Sequence, residues 1–353
     1  MATLFHLACD HPDMAKDEVL TVSCKKGGRG SMECSFREFG PDLILLETPF
    51  AVTAKRLALT REVYSLLFVC QTIDLLNMVG STPWKRHCKP PICVRYPGDR
   101  AKERQMAGII LSSLVNPSVD LIHPKTLIQF FDRAGSVLCG VLKFKNTQDF
   151  ESRKSHHLPA PHPSSMHPRL ARWFVNRTGI QKGTLIDPFC GAGGILLEAG
   201  LMGLSCKGFD IEQSMINRAR ANLLEWKIKA VLERKDALTI SRPMRFVASD
   251  LPYGRATKAR DINGLYQGFL RVLERHLTER AVIGYPDFVD LISMVDLKKL
   301  RIAGNYEYYL HKSLTKKIII LEAIIQKSYT AIPSSSIVCG RNPCLPRSYS
   351  SGV

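Results

Sequence analysis

From Thr184 onward the chain alternates short apolar runs with stretches of helical periodicity, and no other pattern in it limits the fold as tightly. Repeated strand, helix, strand units build a parallel sheet, because parallel neighbours need a long connection that packs back on the sheet. The apolar runs are "TLIDPF", "SCKGFDI", "KAVLERKDAL", "RFVASDLPYG" and "RAVIGYP". Helical stretches such as "GGILLEAGLMG", "EQSMINRARANLLEW" and "GLYQGFLRVLERHL" separate them; in the second, Met215, Ala219, Leu223 and Trp226 share one face. The last two runs, "RIAGNYEYYL" and "TKKIIILEAI", are joined by so short a segment around "HKSLT" that only a hairpin fits. The expected domain is α/β, with a mostly parallel seven-stranded sheet that ends in an antiparallel strand.

Residues 1–145 lack this rhythm. "TLFHLA", "LILLET", "ICVRY", "TLIQFFD" and "SVLCGVLKF" read as strands, with helices expected at 53–69 and 103–115, which predicts compact α+β units. Between the halves, "RKSHHLPAPHPSSMHP" has the composition of a linker, and its four histidines are read as part of that linker rather than as a metal site. Ser165 is a candidate cap for the helix that follows, with Pro168 in its first turn. The end of the chain from Tyr329 reads as a mobile tail, and no internal repeat is present.

A chain of 353 residues exceeds what one hydrophobic core usually serves, so more than one domain is expected. The formal charge of +17 creates a field that attracts polyanions, with nucleic acid first among them. No apolar run reaches the roughly 18 residues that a membrane span needs, and the N-terminus has no signal-peptide pattern. The eleven cysteines include no CxxC pair, so reduced thiols and no metal site are expected.

"LIDPFCGAGGILLEAG" places Asp187 at a strand end and Gly191, Gly193 and Gly194 in the turn that enters a helix. Glycines there let a ligand approach the backbone and leave the helix N-terminus free for it. Asp210 ends the next strand, where a carboxylate can take both hydroxyls of a ribose, and Asp236 ends the third, where it can accept from an adenine amine. Each acid alone could be a turn or cap residue; three at successive strand tips fit a nucleoside better. The loop GAGGIL lacks the third glycine of the dinucleotide fingerprint, and it is the later stretch "SDLPYG" that decides against hydride chemistry.

"SDLPYG" supplies the chemistry. An exocyclic amine on a purine is a poor nucleophile because its lone pair is delocalised into the ring. Acceptors on its N–H bonds localise that pair and aim it. Asp250 and the Leu251 carbonyl can serve as those acceptors, Pro252 stiffens the turn, and Tyr253 can stack on the base.

Together "DPFCGAGG" and "SDLPYG" resemble the two signature motifs of the class I, Rossmann-like, S-adenosylmethionine-dependent methyltransferases that act on exocyclic amines. That resemblance implies cofactor contacts from Asp187, Phe189, Gly191, Gly193, Asp210, Ile211, Asp236 and Ala237. It implies a catalytic set of Asp250, Leu251, Pro252 and Tyr253, with Leu251 in place of the family's usual first proline. A base inside structured RNA must swing out of its stack to reach such a pocket.

"HPSSMHPRLARWFVNRTG", "DPFCGAGGILLEA", "DLPYGRAT" and "HKSLTKKI" narrow the resemblance to archaeal tRNA (guanine-10) N2-methyltransferases and their eukaryotic relative. In that family a ferredoxin-like segment and a THUMP domain precede the catalytic domain, and "VDLIHP" within 119–144 is similar to a THUMP pattern. The implied organisation is a ferredoxin-like segment at 1–85, a THUMP-like RNA-binding domain at 86–147, a linker at 148–166, the methyltransferase domain at 167–328 and the tail at 329–353. The implied substrate is tRNA, methylated on N2 of guanosine 10 once or twice. The implied protein is cytoplasmic and monomeric, with an accessory subunit left open. Two rivals are an amino-methyltransferase acting on DNA or ribosomal RNA and a non-catalytic tRNA-binding subunit. Arg255, Lys258 and Arg260 follow Tyr253 and are candidate phosphate contacts.

Overall fold

The computed structural model describes residues 2–26, 32–48, 55–253, 261–296, 298–311 and 314–324. Arg255, Lys258 and Arg260, and the C-terminal tail, lie outside them.

The N-terminal half contains β1 (Thr3–Leu7), α1 (Pro12–Ser23), β2 (Lys25–Lys26), β3 (Met32–Glu33), β4 (Phe36–Glu38), β5 (Leu43–Leu46) and β6 (Thr60–Gln71). It continues with α2 (Leu75–Ser81), β7 (Ile92–Arg95), α3 (Arg100–Ser112), β8 (Thr126–Arg133) and β9 (Ser136–Lys145). Seven of these strands form one sheet in the order β4-β5-β1-β6-β9-β8-β7. The segments 1–85 and 86–147 therefore meet edge to edge through the β6–β9 pairing.

Three expectations are corrected here. The helix expected over 53–69 is instead the long strand β6 over its described C-terminal part. "TREVYSLLFVCQ" is rich in β-branched and aromatic residues, and pairing with β1 on one side and β9 on the other overrides the helix formers before it. Cys24 and Cys34, read as thiols, form a disulfide across the β2–β3 ribbon, which brings together two residues with no motif to announce them. Ser165 is not the cap: His167 Nδ1 accepts from the Arg169 backbone N–H at 3.2 Å.

The C-terminal half comprises α4 (Pro168–Arg177), β10 (Thr184–Asp187), α5 (Gly194–Leu201), β11 (Ser205–Asp210), α6 (Gln213–Glu225), β12 (Ala230–Arg234) and β13 (Met244–Asp250). After these come α7 (Ile262–His276), β14 (Leu277–Pro286), β15 (Leu300–His311) and β16 (Leu314–Ala323). Its sheet runs β12-β11-β10-β13-β14-β16-β15, and β16 alone is antiparallel to its neighbours, as the short hairpin gap required. The order reverses at β10, which leaves a crevice beyond the carboxyl ends of β10 and β13, where open α/β sheets bind ligands. Asp261 caps α7 by accepting from the Gly264 N–H at 2.8 Å, and Tyr266, Phe269, Leu270 and Leu273 form its buried stripe.

The halves share a core. Met14 and Val19 of α1 join the apolar cluster that holds Trp173 and Phe174 of α4. Trp173 Nε1 donates to the Met14 carbonyl at 2.8 Å, and the buried Glu18 carboxylate accepts from the Asn176 amide. The linker is also docked. Arg153 from the linker and Arg172 from α4 converge on Glu198 of α5, at 2.6 and 2.8 Å, with Glu198 fully buried. A charge this deep persists only where partners compensate it, and two guanidiniums do so here.

Candidate active site

The turn between β10 and α5 is built around glycine. Gly191 and Gly193 have φ of +50° and +86°, a region that favours glycine. A Cβ on Gly193 would lie 3.2 Å from that of Ala219, so α6 packs directly on the loop. A Cβ on Gly191 would meet nothing within 4 Å, so its face of the loop is open. Gly191 N–H donates to Asp210 Oδ2 at 3.0 Å, and Asp210 Oδ1 accepts from Glu212 N–H at 2.9 Å. Burial raises the Asp210 pKa, opposed by those two N–H groups.

Asp187 lies beneath this loop rather than at its mouth, and it is 1% exposed. Its Oδ1 accepts from Ser249 Oγ at 2.5 Å and from the Phe189 N–H at 3.2 Å, which ties the tip of β13 to the glycine turn. Burial pushes its pKa up to about 7, with Asp210 and Asp250 adding to the rise. Phe189 packs edge to face on Phe269 with ring centroids 5.0 Å apart. Asp236 caps a short 3-10 turn by accepting from Leu238 N–H at 2.9 Å, and Ala237 is buried behind it. Ile211, 62% exposed, stands directly after Asp210. An open glycine face, a carboxylate with spare lone pairs and an exposed aliphatic side chain at adjoining strand ends suit a nucleoside with a polar tail.

The second motif begins where β13 ends. Asp250 lies over Gly284 of β14, and a Cβ there would come within 2.5 Å of Asp250 Oδ1 and 3.1 Å of the Phe174 ring. Glycine is thus required for the carboxylate to settle at this tip. Leu251 is buried, and its N–H donates to the Gly284 carbonyl at 2.9 Å. Tyr266 Oη donates to the Pro252 carbonyl at 2.7 Å, which fixes the turn from the α7 side. Tyr253 Oη donates to Asp250 Oδ1 at 3.3 Å, and burial, followed by the Asp250 charge, pushes the phenol well above its ordinary pKa. Lys316 Nζ pairs with Asp250 Oδ2 and lies 5.4 Å from the centroid of the Tyr253 ring.

The structure thus brings together the glycine turn, Asp210 and Ile211 on one side and Asp250 to Tyr253 on the other, with Asp187 and Ser249 linking them. Asp236 and Ala237 stand one strand further out, at the end of β12. Sequence reasoning passed over Ser249, Tyr266, Gly284 and Lys316. Only Lys316 carried a signal, since it falls in phase with Ile318 and Ile320 on the inward face of a strand. Two hollows elsewhere, about 290 Å³ lined by Leu7 and Lys16 and about 480 Å³ lined by Trp226 and Ile228, gather none of these residues.

A sheet of this order with a glycine turn after its first strand defines a class I methyltransferase, and residues 156–317 match the RMKL-like methyltransferase domain family. TrmN from Thermus thermophilus shares the fold at a TM-score of 0.51 and 15% identity, over 92% of this chain and 100% of that one. The tRNA (guanine(10)-N2)-dimethyltransferase of Methanothermobacter thermautotrophicus is 30% identical over 344 residues, covering 92% of this chain and 100% of the relative. The enzyme of the same name from Pyrococcus abyssi is 29% identical over 88% of this chain and 97% of its own length. The chain belongs to the tRNA (guanine(10)-N2)-dimethyltransferase family.

Proposed function

We propose that the protein methylates the exocyclic N2 amine of guanosine 10 in tRNA, using S-adenosylmethionine. The observation that carries this reading is the pair of acceptors at the end of β13, the Asp250 carboxylate and the Leu251 carbonyl, beside the open glycine turn of β10. No hydrogen bond reaches that carbonyl among the described residues, whereas the next one, on Pro252, is taken by Tyr266. Two acceptors on one amine match its two N–H bonds and direct its lone pair away from the ring. Tyr253 offers a face for the base, and the stiff Pro252 turn holds acceptors and ring in fixed relation.

The cofactor supplies a methyl group activated on a sulfonium. The backbone at Gly191 and Gly193 would hold its amino-acid end, Asp210 its ribose hydroxyls, and Ile211, Asp236 and Ala237 its adenine, while Phe189 walls the turn. Asp187 supports the loop from below. A first methylation leaves one N–H for the two acceptors; the names of the archaeal relatives support continuation to N2,N2-dimethylguanosine.

The N-terminal half, read as ferredoxin-like and THUMP-like, would grip the tRNA, and the charge of +17 favours a polyanion. A tRNA substrate supports a cytoplasmic location, although the Cys24–Cys34 disulfide is a bond that compartment seldom keeps. No described helix is long and apolar enough to cross a membrane. Incubation with labelled cofactor and unmodified tRNA, followed by nucleoside mapping, tests atom, position and methyl number together. Label on another base, or none, removes the reading.

A further inference from the structure

The geometry points to Lys316 as a positioning residue that works through Asp250; this rests on the proposed amine methylation and names how its acceptor is held. Lys316 is 3% exposed on β16, in phase with Ile318 and Ile320, where an apolar side chain would normally stand. A buried ammonium is costly unless it is paired. Its partner is Asp250 Oδ2, reached diagonally across β14, on which Lys316 faces Pro286 and Asp250 faces Gly284.

The two carboxylate oxygens are therefore not equivalent. Oδ2 is committed to Lys316, and Oδ1 is turned toward Tyr253, whose hydroxyl it accepts at 3.3 Å. Only Oδ1 is in position to exchange that hydroxyl for an amine N–H. Lys316 also lies against the Tyr253 ring at 5.4 Å, so one side chain fixes both the acceptor and the stacking plate. A cation beside a nitrogen that becomes positive offers no electrostatic help. What it supplies is orientation, together with neutralisation of Asp250. An uncharged asparagine would provide an acceptor without needing a cation.

The experiment is a double-mutant cycle on the full chain, reading kcat and KM for tRNA and cofactor, with melting temperature alongside. Lys316→Met is expected to lower kcat by about 100-fold, the scale of a misplaced reacting group, while both KM values stay within about threefold. Asp250→Asn alone strands the buried ammonium and lowers kcat and melting temperature together. The double variant Asp250→Asn, Lys316→Met is expected to turn over at least about tenfold faster than Lys316→Met alone, because a neutral amide leaves no unpaired buried charge, and to stay below the wild type because the hold on the acceptor and on the Tyr253 ring is lost. Multiplicative losses in the double variant would overturn the inference, as would unchanged kcat in Lys316→Met. If the wild type methylates no guanine amine, the function fails instead. If the singles fail to fold, the double variant alone decides: activity in it supports the inference, and a folded but inactive double variant overturns it.

Discussion

At the scale of single residues, two aspartates of the site meet opposite fates. Asp250 is expected to be indispensable: Asp250→Ala should reduce kcat by about 10²- to 10³-fold, the usual effect of removing a preorganised polar group, with tRNA affinity within a few-fold. Normal turnover by that variant, measured with labelled cofactor, would end the assignment. Asp187 is a support whose ionisation opposes folding. Its pKa rises from 3.8 unfolded to about 7 folded, so the folded state binds the proton more tightly. The stability it contributes is complete below about pH 4 and is lost as pH rises to about 7. Asp187→Asn mimics the protonated form. It should be more stable than the wild type at pH 8, by at most about 4 kcal/mol at about 1.4 kcal/mol per tenfold change in proton affinity, and match it below pH 4. A constant difference across that range in calorimetry would contradict this account.

At the scale of elements, the strand tips explain what could and could not be read in advance. β10, β11, β13, β14 and the β15–β16 hairpin were legible because each is an apolar run bounded by glycine, proline or acid, and buried parallel strands must be such runs. β6 was not, because the helix formers ahead of it extend a helical reading into a run rich in β-branched and aromatic residues, which pairs with β1 and β9. Asp210 and Asp250 were visible as acids closing apolar runs. Lys316 and Gly284 were hidden because their meaning lies in register: Asp250 faces Gly284, and Gly284 faces Ile318 two residues from Lys316. Gly284→Ala accordingly belongs among the damaging changes. One methyl there collides with Asp250 and Phe174, and kcat should fall at least about tenfold, with cofactor affinity by calorimetry nearly unchanged. A fully active variant would show that the carboxylate need not sit over β14.

At the scale of the whole molecule, binding of a polyanion is expected to divide from chemistry. Lys85, Arg86 and Lys89 are exposed on the N-terminal half, remote in sequence from both motifs. Replacing all three by glutamate should weaken tRNA binding and flatten its dependence on salt by about one unit of log–log slope for each phosphate no longer neutralised. Cofactor affinity should stay as it was. An unaltered slope in filter-binding titrations would move the RNA surface elsewhere. The joint between the halves bears on how substrate is admitted. Glu198 holds Arg153 and Arg172, and α1 is anchored to α4 by Trp173, so the segment that composition marks as a tether is clamped shut. Buried pairs at this joint oppose bending of one half toward the other. With no bending at this joint, admitting the target nucleotide costs the unstacking of the nucleic acid itself.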